Sequence, residues 1–171
     1  VQLTMSFVDN DYFTDAVFDE AKVYRYSLIR RWNDKLPRLT YIMLNPSTAN
    51  ENDDDPTIRR CLGFAKQWNY GSIEVVNLFA YRATDPSELL SCTDPIGYEN
   101  NKYILEAIQR SSLIVLAWGT KGSLKERDKE VVRLLNNVRE NVYCLSRTKE
   151  GHPKHPLYVR GDTKPIYYFS E

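Results

Sequence analysis

From Tyr41 the chain runs Tyr41-Ile42-Met43-Leu44 and stops abruptly on Asn45-Pro46, after which polar residues carry it to Asp55-Pro56. An apolar run bounded by turn formers predicts a buried strand that delivers a loop. Pro46 keeps Asn45 out of the helical region, and Ser47, Thr48 and Asn50 bring short side chains that bond to local backbone. Upstream, Val23 to Trp32 alternates, with Val23, Arg25, Ser27 and Ile29 on one side and Tyr24, Tyr26 and Leu28 on the other. This spacing predicts an antiparallel edge strand, closed by a turn at Asn33-Asp34.

Downstream, Asp55 reads as a helix N-cap with Pro56 in the first turn, and Ile58, Leu62, Ala65 and Trp68 share one helical face up to the stop at Asn69-Tyr70-Gly71. Ile73 to Ala80 is β-branched and apolar enough for a central strand. Asp94-Pro95 repeats the cap signal ahead of Ile104, Leu105 and Ile108, and Leu113 to Trp118 is a third apolar run ending at Gly119. Residues 124–137 predict an amphipathic helix, Val142 to Leu145 a fourth short strand, 146–160 a polar loop and Ile166 to Phe169 a terminal aromatic strand.

Strands alternating with helices predict an α/β fold with a mostly parallel central sheet and right-handed crossovers, helices covering both faces as a three-layer α/β/α unit. One domain over 1–171 is expected, with 1–22 as an acidic N-terminal segment draped on it. In such a sheet, ligands bind beyond the carboxyl ends of the strands. Asn45, Asn77 to Arg82, Trp118-Gly119 and His152 to Leu157 would then open on one edge.

Composition adds little to this picture and charge patterning somewhat more. Lys plus Arg equals Asp plus Glu at 23 each, so net charge selects neither a nucleic-acid nor a membrane partner. Residues 9–20 are acidic without a base, whereas 147–164 gather Arg147, Lys149, Lys154, Arg160 and Lys164 in a stretch suited to facing an anion. Cys61, Cys92 and Cys144 form no CxxC pair and suit reduced thiols. With no signal-peptide pattern and no apolar run of membrane-spanning length, a cytoplasmic protein without membrane contact is expected.

The order of the strand ends resembles the uracil-DNA glycosylase superfamily. Met43-Leu44-Asn45-Pro46 resembles that superfamily's Gly-x-Asn-Pro motif, with Met43 in place of the glycine. Val75-Val76-Asn77 is similar to its Leu-Leu-Asn strand end, Leu116-Ala117-Trp118-Gly119 to its Leu-Leu-Trp-Gly strand, and Gly151-His152-Pro153-Lys154-His155-Pro156-Leu157-Tyr158 to its His-Pro-Ser-Pro-Leu loop with one residue added. LNPSTAN, DDDPTIRR, NLFAYRATDP, AWG and GHPKHPLY together more closely resemble a family of small bacterial and phage proteins of unknown function, from Tyr24 to Tyr158.

The superfamily resemblance implies a DNA glycosylase acting by base flipping on double- or single-stranded DNA, without cofactor or metal. Asn45 would orient water and His155 or His152 would meet the base carbonyl. Asn77 would read the base, flanked by Pro46 and Ser47. Leu157 would be a wedge, with Arg59, Arg82, Lys154, Tyr158 and Arg160 against DNA. A modified pyrimidine, as in phage DNA, fits the departure at Met43 and points to genome defence or repair. Each residue also has a plainer role: Asn45 as a turn amide, Asn77 as a satisfied core amide, the histidines as loop residues, Arg82 as a loop tie through Asp85, and Trp118 as core. Asp53-Asp54-Asp55 is read as capping and arginine pairing, not as a metal site. Two other functions stay open: a non-catalytic nucleic-acid binder, and a hydrolase or transferase acting on free nucleosides or nucleotides.

Overall fold

A computed structural model describes residues 12–169. Seven strands, β1 (Phe13–Phe18), β2 (Arg25–Arg31), β3 (Arg38–Met43), β4 (Ser72–Asn77), β5 (Leu113–Leu116), β6 (Val142–Cys144) and β7 (Ile166–Tyr167), make one sheet in the order β1-β2-β4-β3-β5-β6-β7. β3 pairs in parallel with β4 and β5, and β5 with β6, while β1–β2, β2–β4 and β6–β7 are antiparallel. The sheet is therefore mixed, and the expected mostly parallel arrangement holds only for its centre. Hairpin-linked strands were added on one side and a C-terminal strand on the other, where no helical crossover forces parallel pairing.

Among the described residues the α-helices are α1 (Pro56–Gln67), α2 (Glu88–Ser91), α3 (Asn100–Gln109) and α4 (Arg127–Leu134). Alternation along the central strands divides their side chains between two clusters. Leu39, Tyr41, Met43, Ile73, Val75 and Val115 pack with Ile58, Cys61, Leu62, Phe64 and Ala65 of α1. Ile42, Val76, Ile114 and Leu116 pack with Ile104, Ala107 and Ile108 of α3 and Val131 of α4.

Asp55 caps α1 as the sequence predicts, its Oδ1 accepting from the Ile58 N–H at 2.9 Å with Pro56 in the first turn. Asn69, at φ 66°, ends the helix in the left-handed region. Gly71 is required beyond it, because a Cβ there would lie 1.9 Å from the Asn33 carbonyl oxygen.

Four expectations are corrected. Residues 13–18, read as part of a draped segment, form the edge strand β1; residues 1–11 lie outside the described ones. Consequently β2 is an interior strand. Asp94 does not cap α3: its Oδ1 accepts from the Gly97 N–H at 3.1 Å, and Gly97 at φ +95° breaks any helix begun at Pro95. The helix expected over 124–137 is confined to Arg127–Leu134, because Lys125 and Glu126 are both left-handed (φ 54° and 55°).

Two buried charges tie this framework together. Glu74, fully buried in β4, accepts from Ser27 Oγ at 2.7 Å and from Arg110 Nε and Nη2 at 2.8 Å each, with Arg38 Nη1 3.6 Å away. Arg127 donates from Nε to the Leu78 carbonyl at 2.8 Å and from Nη2 to Asn101 Oδ1 at 2.6 Å, and it pairs with Glu130. Asn100 Nδ2 donates to the Asn77 and Leu78 carbonyls at 2.9 and 3.0 Å. The carbonyls just beyond β4 are thus held from behind, which fixes where Asn77 stands.

Candidate functional site

β3 sends the chain to β4 on one side, and the chain then crosses back over β3 to β5 on the other. Such a reversal leaves a crevice at the carboxyl ends of the diverging strands. A cavity of about 470 Å³ opens there, bounded by Met43 to Ser47, Val75 and Asn77, Trp118 to Lys121, the first turn of α1, and His155, Leu157 and Tyr158. It is lined by both apolar and polar groups, as small-molecule sites are.

Asn45 leaves β3 at this edge. Its Nδ2 donates to the Ala83 carbonyl at 2.7 Å and the Pro46 carbonyl at 3.0 Å. Two carbonyl partners identify that atom as the nitrogen. Both amide hydrogens are used, and Oδ1, without a donor among the described residues, remains as an acceptor. Asn45 therefore ties two loops together while leaving one oxygen unengaged.

Asn77 ends β4 in register with Met43. It is 1% exposed, and neither Oδ1 nor Nδ2 has a protein partner. A buried amide without partners costs about 1–3 kcal/mol, and native cores rarely leave one. Trp118, read from the sequence as core, is 2% exposed but also lines the cavity, and its Nε1 is unpartnered as well.

Among the two histidines, His155 lines the cavity and His152 does not. His152 sits in a turn, its N–H donating to Thr148 Oγ1 and its carbonyl accepting from the Thr148 N–H. His155 Nδ1 accepts from the Leu157 N–H at 3.2 Å, so in the neutral ring Nε2 carries the proton. Its loop is held on several sides. Arg60 donates to the Pro156 and Val159 carbonyls, the Gly119 N–H to the Pro153 carbonyl at 2.8 Å, and the Lys154 N–H to the Ser146 carbonyl at 2.9 Å.

Burial pushes the His155 pKa below its ordinary value of 6.5, with the Asp55 carboxylate pulling the other way. A histidine whose folded pKa is depressed contributes stability above its unfolded pKa, and this is lost as pH falls through the folded value. The stability advantage of wild type over His155→Gln is therefore expected to shrink below pH 6.5, read from denaturant midpoints between pH 7 and 5. A widening gap in acid would contradict this assignment.

The remaining predicted residues divide. Pro46, Ser47, Leu157 and Tyr158 line the cavity, Leu157 and Tyr158 being 45% and 78% exposed at its mouth. Arg59, Arg82, Lys154 and Arg160 do not line it. Arg59 Nη1 donates to the Asp54 carbonyl at 3.1 Å, and Arg160 forms a surface pair with Asp162 at 3.1 Å. Arg82 ties loops without Asp85, donating to the Lys22 carbonyl at 3.1 Å and the Ser47 carbonyl at 3.4 Å; Asp85 accepts from the Ser87 N–H instead. Asp54 accepts from Arg30 Nε at 2.9 Å, so its partner is an arginine of β2 in place of the neighbouring Arg59 or Arg60.

Arg25 is a further lining residue, one that no motif marks. It is 2% exposed and lines the cavity, because β2 is antiparallel and so starts at the edge where β3 and β4 end. Its only signal was a charge set between two aromatics, Tyr24 and Tyr26, in the alternating run. Among the described residues, no group of three or more His, Cys, Asp or Glu is placed to hold a metal ion, and no helix is long and apolar enough to cross a membrane.

Among curated proteins and among solved structures, nothing matches the chain. A protein family does match, over residues 25–157, and that span runs from Arg25 at the start of β2 to Leu157 at the cavity mouth. On that match the chain belongs to the family described as Protein of unknown function (DUF1643).

Proposed function

We propose that this protein is a metal-independent DNA glycosylase-like hydrolase, which takes a pyrimidine extruded from DNA into the cavity and cleaves its N-glycosidic bond. In this reading the fold is a three-layer α/β/α unit of the uracil-DNA glycosylase kind. The observation that carries the reading is Asn77, a buried amide with both donor and acceptor unengaged at a cavity it shares with Asn45 and His155. An amide of this kind pairs in two-point fashion with the lactam edge of a pyrimidine, the contact by which flipped bases are read.

The chemistry follows from the donors and acceptors. Asn45 Oδ1 accepts a hydrogen bond from a water and aims it at C1′. Asparagine is no base, so the C1′–N bond must break well ahead of attack, the base leaving with the bonding pair. His155 Nε2–H donates to the base carbonyl as that charge develops. Water then adds to C1′, its proton passing to solvent, and the base takes one up. Leu157, exposed at the mouth, fills the gap left in the duplex. The departure at Met43 and the polar segment from Asn50 to Asp55 favour a modified pyrimidine, with genome defence or repair as the setting.

Duplex and single-stranded DNAs carrying uracil, thymine mismatches and hypermodified pyrimidines, incubated with the protein and treated with alkali, test this reading. Strand cleavage at an abasic site is expected for at least one, and none from the whole panel would remove the reading. Asn77→Leu is expected to abolish that product while raising stability by about 1–2 kcal/mol, because it deletes an unpaired buried amide. A destabilised variant would mean that Asn77 is a structural amide.

A further inference from the structure

Arg25 is a charge buried without a counter-ion. Its Nη1 donates to the Ala49 carbonyl at 3.1 Å, Nε is buried with no partner, and Nη2 has none among the described residues. Nε and Nη2 form the side-on edge of the guanidinium that grips carboxylate and phosphate in two-point fashion. No carboxylate lies within ion-pair distance of it among the described residues. Asp55 lines the same cavity and favours the charged arginine from further off, but its Oδ1 is engaged at the helix cap.

The surroundings reinforce this positive character. Burial, with Arg82 and Arg30 nearby, brings the Arg25 pKa down to about 10, which leaves the guanidinium fully charged at neutral pH. Lys121 lines the rim, so Arg25 and Lys121 face the cavity against the single carboxylate of Asp55. The N-terminal turn of α1, a 12-residue helix, contributes Asp55, Thr57 and Ile58 to the wall and directs its positive end there. A buried guanidinium left unpaired is costly, and an arriving anion relieves that cost.

We infer that the cavity contains an oxyanion subsite formed by the Nε/Nη2 edge of Arg25, and that its ligand joins a base-like amide edge to a carboxylate or phosphate. This rests on the base-binding cavity proposed above but not on bond cleavage. The oxyanion has two sources: an acidic substituent on the base, or the phosphate of a nucleotide.

Calorimetric titration distinguishes them, comparing uracil with 5-carboxyuracil and uridine with uridine 5′-phosphate, on wild type and Arg25→Gln. In one pair, the anionic ligand is expected to bind at least about tenfold more tightly than its neutral counterpart, and Arg25→Gln should erase that gain while leaving the neutral ligand within about threefold. A gain in the first pair assigns the charge to the base, and a gain in the second assigns it to phosphate. No gain in either pair, or a gain that survives Arg25→Gln, overturns the inference.

Should Arg25→Gln fail to fold, Arg25→Lys keeps the charge without the fork and is expected to lose most of the gain; full retention would count against the subsite. If no base or nucleoside binds at all, the base-binding reading is what fails. The subsite is then judged by inorganic phosphate, which should raise the thermal midpoint of wild type, but not of the variant, above chloride at equal ionic strength; equal effects would overturn it.

Discussion

If the protein is the glycosylase proposed above, truncation of His155 to alanine is expected to slow base release by about 10²–10³-fold, the usual loss when one preorganised donor to a developing oxyanion is removed. The size follows from the ring's arrangement. With Nδ1 held by the Leu157 N–H, the proton resides on Nε2, and burial keeps the ring neutral where an exposed imidazole would begin to charge. No reorganisation is then needed when the base turns anionic. The loss should appear in kcat and only weakly in KM, because the donor acts on charge that forms in the transition state.

The same variant also removes the cap of the 156–158 turn, worth about 1 kcal/mol. A structural effect of that kind slows all substrates alike. A donor effect instead shrinks on a base that leaves easily, so the deficit with 5-fluorouracil in DNA should be smaller than with uracil. Equal deficits, or a loss below about tenfold, would deny His155 this role.

Glu74→Ala is the second large effect, expected to cost about 3–5 kcal/mol, as breaking a buried pair does. In a chain of this length that corresponds to a fall in thermal midpoint on the order of 10 °C. Glu74 sits at the middle of β4, where Ser27, Arg110 and Arg38 converge on its carboxylate. Removing it strands the Ser27 hydroxyl and opens a cavity between the sheet and the end of α3. Glu74→Gln keeps the volume and should fall between alanine and wild type, since an amide cannot satisfy both nitrogens of Arg110. Denaturant midpoints measure the series, and a loss under 1 kcal/mol for alanine would show that the arginines re-pair elsewhere.

Much of the parallel core was legible because each central strand is a short apolar run between turn formers, and α1 because Asp55-Pro56 is a cap that nothing overrides. The edges were harder to read. Phe13 to Phe18 mixes acidic and aromatic residues, and a strand that needs only one neighbour can be of almost any composition. The left-handed pair Lys125-Glu126 carries no glycine, so the late start of α4 had no signal. At the site, Asn45 was visible as a polar residue where an apolar run ends, Asn77 as an amide inside one, and His155 as one of only two histidines, both in the polar loop 146–160. Arg25 was not, because its place depends on β2 running antiparallel beside β4, and strand order is a tertiary fact. Choosing His155 over His152 likewise needed the Arg60 clasp, which joins residues far apart in sequence.

That clasp has a consequence for how the cavity is entered. With Arg60, Gly119 and Ser146 securing the 153–159 loop from three directions, its ordering entropy is met during folding and not at encounter. For the ligand proposed above, the loop is then already in place in the ground state, so no fraction of affinity is lost to ordering it. Leu157 accordingly stands proud of the mouth before any partner arrives, like the tooth of a key already cut.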